Sequence, residues 1–404
     1  MKKKLIAGLL ACTLLFTSTG FAASIDKTDL VKRVKGIDTA DQSTQALMTK
    51  EQTQAMIKSL WPDKVPGDVQ VADKESLDSL SAKYYDSIMK KPLDYYGFYA
   101  IKSFSQINYT KFFDGTILGW ANFDSQGNFT TTGGRTEFRT PEGADLVRSK
   151  IKGDGGKTYL MVFENERGKY EKLFANPDNL ALMTQALKDY DGICLDFESL
   201  RDEKNLKEGF SIFVEKLRQA NPDKQIITII HPKNVVGYFD GYDYSRLAKA
   251  SDYMLLMSYD YQTKAQPQST APFNKVVESV DLALKEIPAQ KLILGIQAHG
   301  APQWRLDKST NILSYFMPTV AMVQESMSKK AISPQWDSKA LSYYYVAEDD
   351  QYKSTIYYES PDALAYKQFL AKEKNLAGIA IWRLGNLENG YFDALQIEAK
   401  LKQK

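Results

Sequence analysis

Beyond residue 92 the chain alternates short apolar runs, rich in aromatic and β-branched side chains, with stretches whose apolar positions recur every three or four residues. The runs occupy residues 95–101, 116–123, 158–163, 192–197, 225–230, 253–259, 291–296 and 378–382. Helical spacing occupies 179–187, 209–220, 274–285 and 362–374 between several of them. Strands separated by helices pair in parallel, because the crossover brings the next strand back in the same direction. Eight such units predict an α/β fold closed into a (β/α)8 TIM barrel over residues 93–404, rather than an open sheet.

The chain ahead of the barrel reads differently. Residues 24–92 are polar and charged with helical spacing, and Thr49 and Gln52 stand at capping-box separation before the apolar positions of 50–61. A small, solvated helical region of unknown role is expected there. At the very start, Lys2, Lys3 and Lys4 precede an apolar run over 5–16, and Gly20, Ala22 and Ala23 offer small residues for cleavage. This pattern predicts a secretory signal over 1–23 and a secreted, extracellular protein, free or held at the cell wall. No second run approaches the ~20 apolar residues that span a bilayer, so no stable membrane insertion is expected after signal removal.

Composition narrows the chemistry. With 52 basic against 50 acidic side chains, the chain lacks the cationic field that phosphate backbones attract, and a nucleic-acid partner is excluded from expectation. Cys194 is the sole cysteine beyond the signal, so no intrachain disulfide is expected. His231 and His299 are the only histidines and lie far apart in sequence, so neither a metal site nor a cofactor is expected. The protein is expected to act as a monomer.

Chemistry in a TIM barrel sits at the carboxyl ends of its strands, and polar residues gather there: Glu164 and Asn165, Asp196 and Glu198, Tyr259 and Asp260, and Arg383. Along the fourth run the side chains alternate, so Ile193, Leu195 and Phe197 face the helices while Cys194, Asp196 and Glu198 point inward. Two carboxylates inside a barrel are unfavourable unless they meet solvent, partners or substrate. They cannot both ionise freely, so one keeps its proton near neutral pH and is able to give it to a leaving group. Glu198, nearer the mouth, is the expected donor.

The run DGICLDFE (191–198) resembles the DxxDxDxE strand signature of glycoside hydrolase family 18, with Asp191, Asp196 and Glu198 in matching places. LMSYD (256–260) resembles the family's sixth-strand motif, and GIAIWRLG (378–385) its eighth-strand motif. ANFDSQGNF (121–129) and LILGIQAHGAPQW (292–304) are similar to the second- and seventh-strand regions. The resemblance covers residues 95–395 and leans toward the branch of spore-cortex N-acetylglucosaminidases, whose members tend to have Phe where Phe197 stands.

That resemblance implies retaining hydrolysis of a glycan containing N-acetylglucosamine, peptidoglycan or chitin-like, assisted by the substrate's own acetamido group. Glu198 is implied as proton donor, Asp196 as stabiliser of the oxazolinium, and Tyr259 as the hydroxyl that holds the acetamido oxygen. Trp382 would lie under the sugar, with Asp260, Arg383, Asp191 and Asn165 also binding substrate. Two positions depart from the family: Cys194 replaces its middle Asp, and MVFEN (161–165) replaces a Gly-rich third-strand motif. A chitinase or endo-N-acetylglucosaminidase, and a catalytically silent glycan-binding barrel, remain alternatives. Trp304, Trp336 and the tyrosines 343–345 are candidates for either sugar stacking or packing.

Overall fold

The computed structural model describes residues 25–37, 47–63, 75–100, 102–131, 143–235, 237–298, 300–387 and 389–403. The expected signal over 1–23 and His299 lie outside these residues.

Helices α1 (Lys27–Lys35), α2 (Lys50–Leu60) and α3 (Leu77–Met89) come first. The chain then runs through β1 (Asp94–Tyr99), β2 (Gly115–Phe123), the two-residue β3 (Phe129–Thr130), α4 (Ala144–Gly153), β4 (Lys157–Glu164), α5 (Arg167–Ala175), α6 (Asp178–Ala186) and β5 (Gly192–Phe197). Next come α7 (Leu206–Ala220), β6 (Gln225–Ile230), α8 (Tyr244–Ala250), β7 (Tyr253–Leu256), α9 (Phe273–Ala283) and β8 (Leu292–Gln297). An insertion follows, with β9 (Gln303–Asp307), β10 (Ile312–Phe316), α10 (Val320–Lys330), β11 (Gln335–Asp337), β12 (Ser342–Glu348) and β13 (Tyr352–Tyr358). Helix α11 (Pro361–Glu373), β14 (Gly378–Trp382) and α12 (Asn389–Lys402) complete the chain.

Strands β1, β2, β4, β5, β6, β7, β8 and β14 pair in parallel in that order, and β14 pairs back to β1, so the barrel is closed. Each predicted run supplies one strand. The run 253–259 stays in the ladder only through Leu256, after which Ser258 N–H donates to Leu256 O and Tyr259 N–H to Met257 O, both at 2.9 Å. These tight i→i+2 bonds lift Tyr259 out of the wall and toward the mouth.

The period of two along each strand sorts the core into two layers. Tyr96, Ile117, Tyr159, Met161, Cys194, Ile227, Leu255 and Ile293 fill the barrel, while Ile193, Leu195 and Phe197 join the outer layer under the helices. Phe197 packs at ring distances of 5.4 Å on Phe210 and 5.9 Å on Phe213, both from α7. Burial of one such ring contributes about 1.5–3 kcal/mol, which holds β5 in register.

The insertion forms an antiparallel sheet of order β10-β9-β13-β12-β11, not anticipated from the pattern. It has its own core of Val320, Val323, Tyr343, Tyr345, Ile356 and Tyr358. Trp304 is fully buried with its indole N–H donated to Thr263 O at 2.9 Å, and Trp336 stacks on Tyr366 at 5.8 Å. Both tryptophans therefore serve packing.

The expectation of a solvated appendage over 24–92 is corrected. Leu30, Val31 and Val34 of α1 and Leu77, Leu80, Tyr84 and Ile88 of α3 belong to the same apolar core as the outer barrel layer. Tyr85 stacks on Phe369 of α11 at 5.1 Å, Lys35 pairs with Glu373 at 2.8 Å, and the Arg33 guanidinium donates to Ser338 O at 2.8 Å. The capping box of α2 is formed, with Gln52 N–H donating to Thr49 Oγ1 at 3.3 Å and Thr49 N–H to Gln52 Oε1 at 2.9 Å.

Candidate active site

A cavity of about 320 Å³ opens at the carboxyl end of the barrel. Its polar wall is Asp196, Glu198, His231, Tyr259 and Asp260, and its apolar wall is Phe98, Phe163, Ile229, Met257 and Trp382. Five of the eight residues expected at the site, Asp196, Glu198, Tyr259, Asp260 and Trp382, thus converge from the ends of β5, β7 and β14 onto one pocket.

The end of β5 is pinned from behind. Glu198 N–H donates to Glu164 O at 2.8 Å, extending the β4–β5 ladder by one bond. The Tyr242 hydroxyl donates to Phe197 O at 2.6 Å, and the Tyr170 hydroxyl lies 2.6 Å from the carbonyl oxygens of both Glu164 and Glu198, serving one at a time. Ser199 then turns with φ of 61° in the left-handed region, and the strand ends with Glu198 at the mouth.

Asp196 sits one pleat deeper and is 5 % exposed, and its Oδ1 makes no hydrogen bond to the protein. Burial, and then the charge of Glu198, push its carboxyl well above the usual carboxylate range. Position along the strand made Glu198 the expected donor; in the structure burial also raises the carboxyl of the deeper Asp196. Cys194, one pleat deeper still, is fully buried in the barrel interior, where burial and then Asp196 hold its thiol up and protonated. It adds bulk without charge below Asp196.

Tyr259 faces these groups from beyond β7. Burial, then Asp260, Asp196 and Glu198, raise its phenol well above the ordinary tyrosine value, so it stays a hydrogen-bond donor. Its ring requires Gly295 on β8: a Cβ there would lie 2.7 Å from Leu256 O and 3.3 Å from Tyr259 Cε1. Asp260 is exposed, with φ of 60°, and its carboxylate accepts from Gln262 Nε2 at 3.1 Å and Thr270 Oγ1 at 3.4 Å. Trp382 closes the floor, edge-on to Phe98 at 5.1 Å, and its carbonyl accepts from Ala298 N–H at 2.6 Å.

Three expected substrate-binding residues are not among the residues lining the cavity. Asp191 precedes β5 at the amino end of the barrel, where its carboxylate accepts from Thr158 N–H at 2.8 Å and Thr158 Oγ1 at 2.9 Å. It ties β4 to β5 at the end opposite Glu198. Asn165 follows β4, with its N–H donated to the Glu164 carboxylate at 2.9 Å. Glu164 itself is buried, pairs with Lys169 at 3.3 Å and receives Glu166 N–H at 2.9 Å, so it organises the start of α5. Arg383 adjoins the floor but turns its guanidinium to Leu384 O at 3.1 Å, and burial lowers its pKa.

His231 was missed as a site residue because sequence reasoning weighed it only as a metal ligand. The available signal was the one used elsewhere: it is the first polar residue after the apolar run 225–230, in phase with the inward-facing Ile227 and Ile229. Among the described residues no cluster of three His, Cys, Asp or Glu side chains is placed to hold a metal ion.

A closed (β/α)8 barrel with two carboxyls side by side on one strand end has the architecture of a barrel glycosidase. The chain belongs to glycosyl hydrolases family 18, whose family model matches residues 152–386. It is 28 % identical over 223 residues to the uncharacterized glycosylase YvbX of Bacillus subtilis, covering 53 % of this chain and 63 % of that protein. It is 26 % identical over 202 residues to the cortical fragment-lytic enzyme of B. subtilis, covering 48 % of this chain and 46 % of that one. The match therefore spans about half to three-fifths of the length of these relatives. Among solved structures, the spore cortex-lytic enzyme SleL of Bacillus megaterium superposes with a TM-score of 0.65 at 16 % identity, covering 88 % of this chain and 85 % of that one. A chitinase from Chromobacterium violaceum gives 0.63 at 20 % identity, covering 76 % and 99 %. Both share the fold.

Proposed function

We propose that the protein is a retaining hydrolase of glycosidic bonds at N-acetylglucosamine residues of bacterial cell-wall or spore-cortex peptidoglycan, exported by the segment 1–23 and acting outside the cell. The observation that carries this reading is the stacked pair of Asp196 and Glu198, opening into a pocket whose far side is Tyr259 and whose floor is Trp382. The cortex-lytic relative supports the substrate class. The retained acid, Glu198, favours turnover over silent glycan binding.

In the empty pocket, burial and the neighbouring Glu198 favour the protonated form of Asp196. When a sugar binds over Trp382, its acetamido N–H donates to Asp196 and its glycosidic oxygen accepts from Glu198. Both contacts favour Asp196 as carboxylate and Glu198 as acid, so the proton moves outward within the pair and no net charge enters the pocket. Tyr259, kept protonated by burial, donates to the acetamido carbonyl and holds that oxygen against the anomeric carbon. Attack by this oxygen breaks the glycosidic bond as Glu198 delivers its proton, and the Asp196 carboxylate faces the positive oxazolinium. Water then opens the ring, giving its proton to Glu198.

The experiment compares the protein and Glu198→Gln for release of reducing ends from spore cortex, vegetative peptidoglycan and chitin oligomers. Cortex or wall turnover that falls by about 10²–10⁴-fold in the variant is expected. Glycan binding without turnover in the unaltered protein would overturn the reading.

A further inference from the structure

His231 stands in the polar wall of the cavity, and its Nε2 is buried without a hydrogen bond to the protein. The Tyr244 hydroxyl donates to its carbonyl, and its ring lies 4.7 Å from Phe239 and 5.7 Å from Tyr242. Arg201 stacks on the outer face of Phe239 at 4.4 Å and donates to Gly237 O at 2.7 Å, fastening the loop that carries Phe239. A cavity-lining residue whose ring is packed by Phe239 and Tyr242 and whose buried Nε2 has no partner is preorganised for a ligand. Leaving that atom buried and unsatisfied is unfavourable for the empty protein, so a ligand that meets it gains affinity.

The charge of that ligand group also follows. Burial, and then the positive charge of Arg201, lower the imidazole pKa to about 4, so the ring is neutral at ordinary pH. A neutral imidazole nitrogen pairs with a group that both donates and accepts, or with an amide, and offers no charge to a carboxylate.

We propose that His231 is a substrate-anchoring residue whose Nε2 hydrogen-bonds an uncharged hydroxyl or acetamido group of the bound sugar chain, setting affinity for the glycan rather than the rate of bond cleavage. This rests on the glycosidase reading above and adds a specificity residue to the same pocket. Its position just after β6 lies between Glu198, just after β5, and Tyr259, after β7, so the contact falls on the sugars flanking the cleaved bond.

The test measures binding of the N-acetylglucosamine tetramer by calorimetry to Glu198→Gln, and to the same protein carrying His231→Phe or His231→Gln. Affinity should fall about tenfold with Phe, equivalent to about 1.4 kcal/mol, and stay within about threefold with Gln, whose amide reaches the same place. In the active background, His231→Phe should raise KM about tenfold with kcat within about threefold. Equal affinity in the Phe variant, or equal weakening by Phe and Gln, overturns the anchoring role while leaving the glycosidase reading intact. Absence of tetramer binding by Glu198→Gln, together with absence of turnover by the unaltered protein, overturns both. If His231→Phe fails to fold by thermal melting, His231→Ala is read in the same way.

Discussion

Tyr242 donates its hydroxyl hydrogen to the carbonyl of Phe197 at 2.6 Å, one residue before Glu198. The same ring packs against His231 just beyond the neighbouring strand β6, so one buried tyrosine steadies two walls of the pocket. Tyr242→Phe keeps the ring and removes the bond, leaving a buried carbonyl short of a partner. Thermal unfolding should register a loss of about 1 kcal/mol. kcat on chitin oligomers should fall several-fold, through a less well-placed Glu198. Unchanged melting and unchanged kcat would show that Tyr242 acts through its ring alone.

Asp196 makes stability depend on pH. Its carboxyl is raised in the folded protein above the roughly 3.9 of an unfolded chain, so the folded state binds the proton more tightly. The associated stability is fully present below about pH 4 and is lost as pH rises through the folded value. Asp196→Asn, neutral at every pH, should therefore melt higher than the unaltered protein at pH 7–8 and show no such advantage near pH 4. Its turnover should be severely reduced. A constant difference in melting temperature across that pH range would contradict the burial argument.

Gly295 is the neighbour that Tyr259 cannot do without. A Cβ at this position meets the Leu256 carbonyl at 2.7 Å, and that oxygen is backbone and unable to swing aside. Gly295→Ala should cost about 1–3 kcal/mol and lower kcat, because β7 and the turn that delivers Tyr259 must shift. Denaturant melts and oligomer kinetics on the same preparation check both effects. Wild-type values for both would mean the two strands separate more easily than their ladder suggests.

Asp191 provides the converse case. It belongs to the sequence signature, yet it accepts two hydrogen bonds from Thr158 at the far end of the barrel. Asp191→Ala should lower stability by about 1–3 kcal/mol with KM and kcat within about twofold of the unaltered values. A rise in KM with intact stability would return Asp191 to the substrate.

The residues that sequence reasoning placed well were those governed by local periodicity. Alternation along 192–198 puts Asp196 and Glu198 on the inward face and Phe197 on the outward one, and the core layers follow that division. The same rule bears on Asp191. It shares parity with Ile193 and Phe197 and stands five residues before Asp196, about 16 Å along a strand, so period and rise alone separate it from the mouth. Membership of a motif outweighed geometry in assigning it to substrate. The insertion was missed for another reason: strands β9 to β13 pair antiparallel with one another and not with the barrel, and their tyrosines read equally well as sugar platforms.

The sequence by itself determined the eight strands, the barrel they close, and the gathering of Glu198, Asp196 and Tyr259 at its mouth, because side-chain direction along a strand has a period of two and strand order follows the chain, while the family resemblance added Trp382. Only the tertiary structure decided that burial raises the Asp196 carboxyl, that His231 lines the pocket with an unpartnered nitrogen, and that α1 and α3 share the barrel's core. Each of these depends on how deeply a group is buried and what stands across from it. Those quantities arise between strands and helices distant in sequence, and they exist only once the barrel has closed.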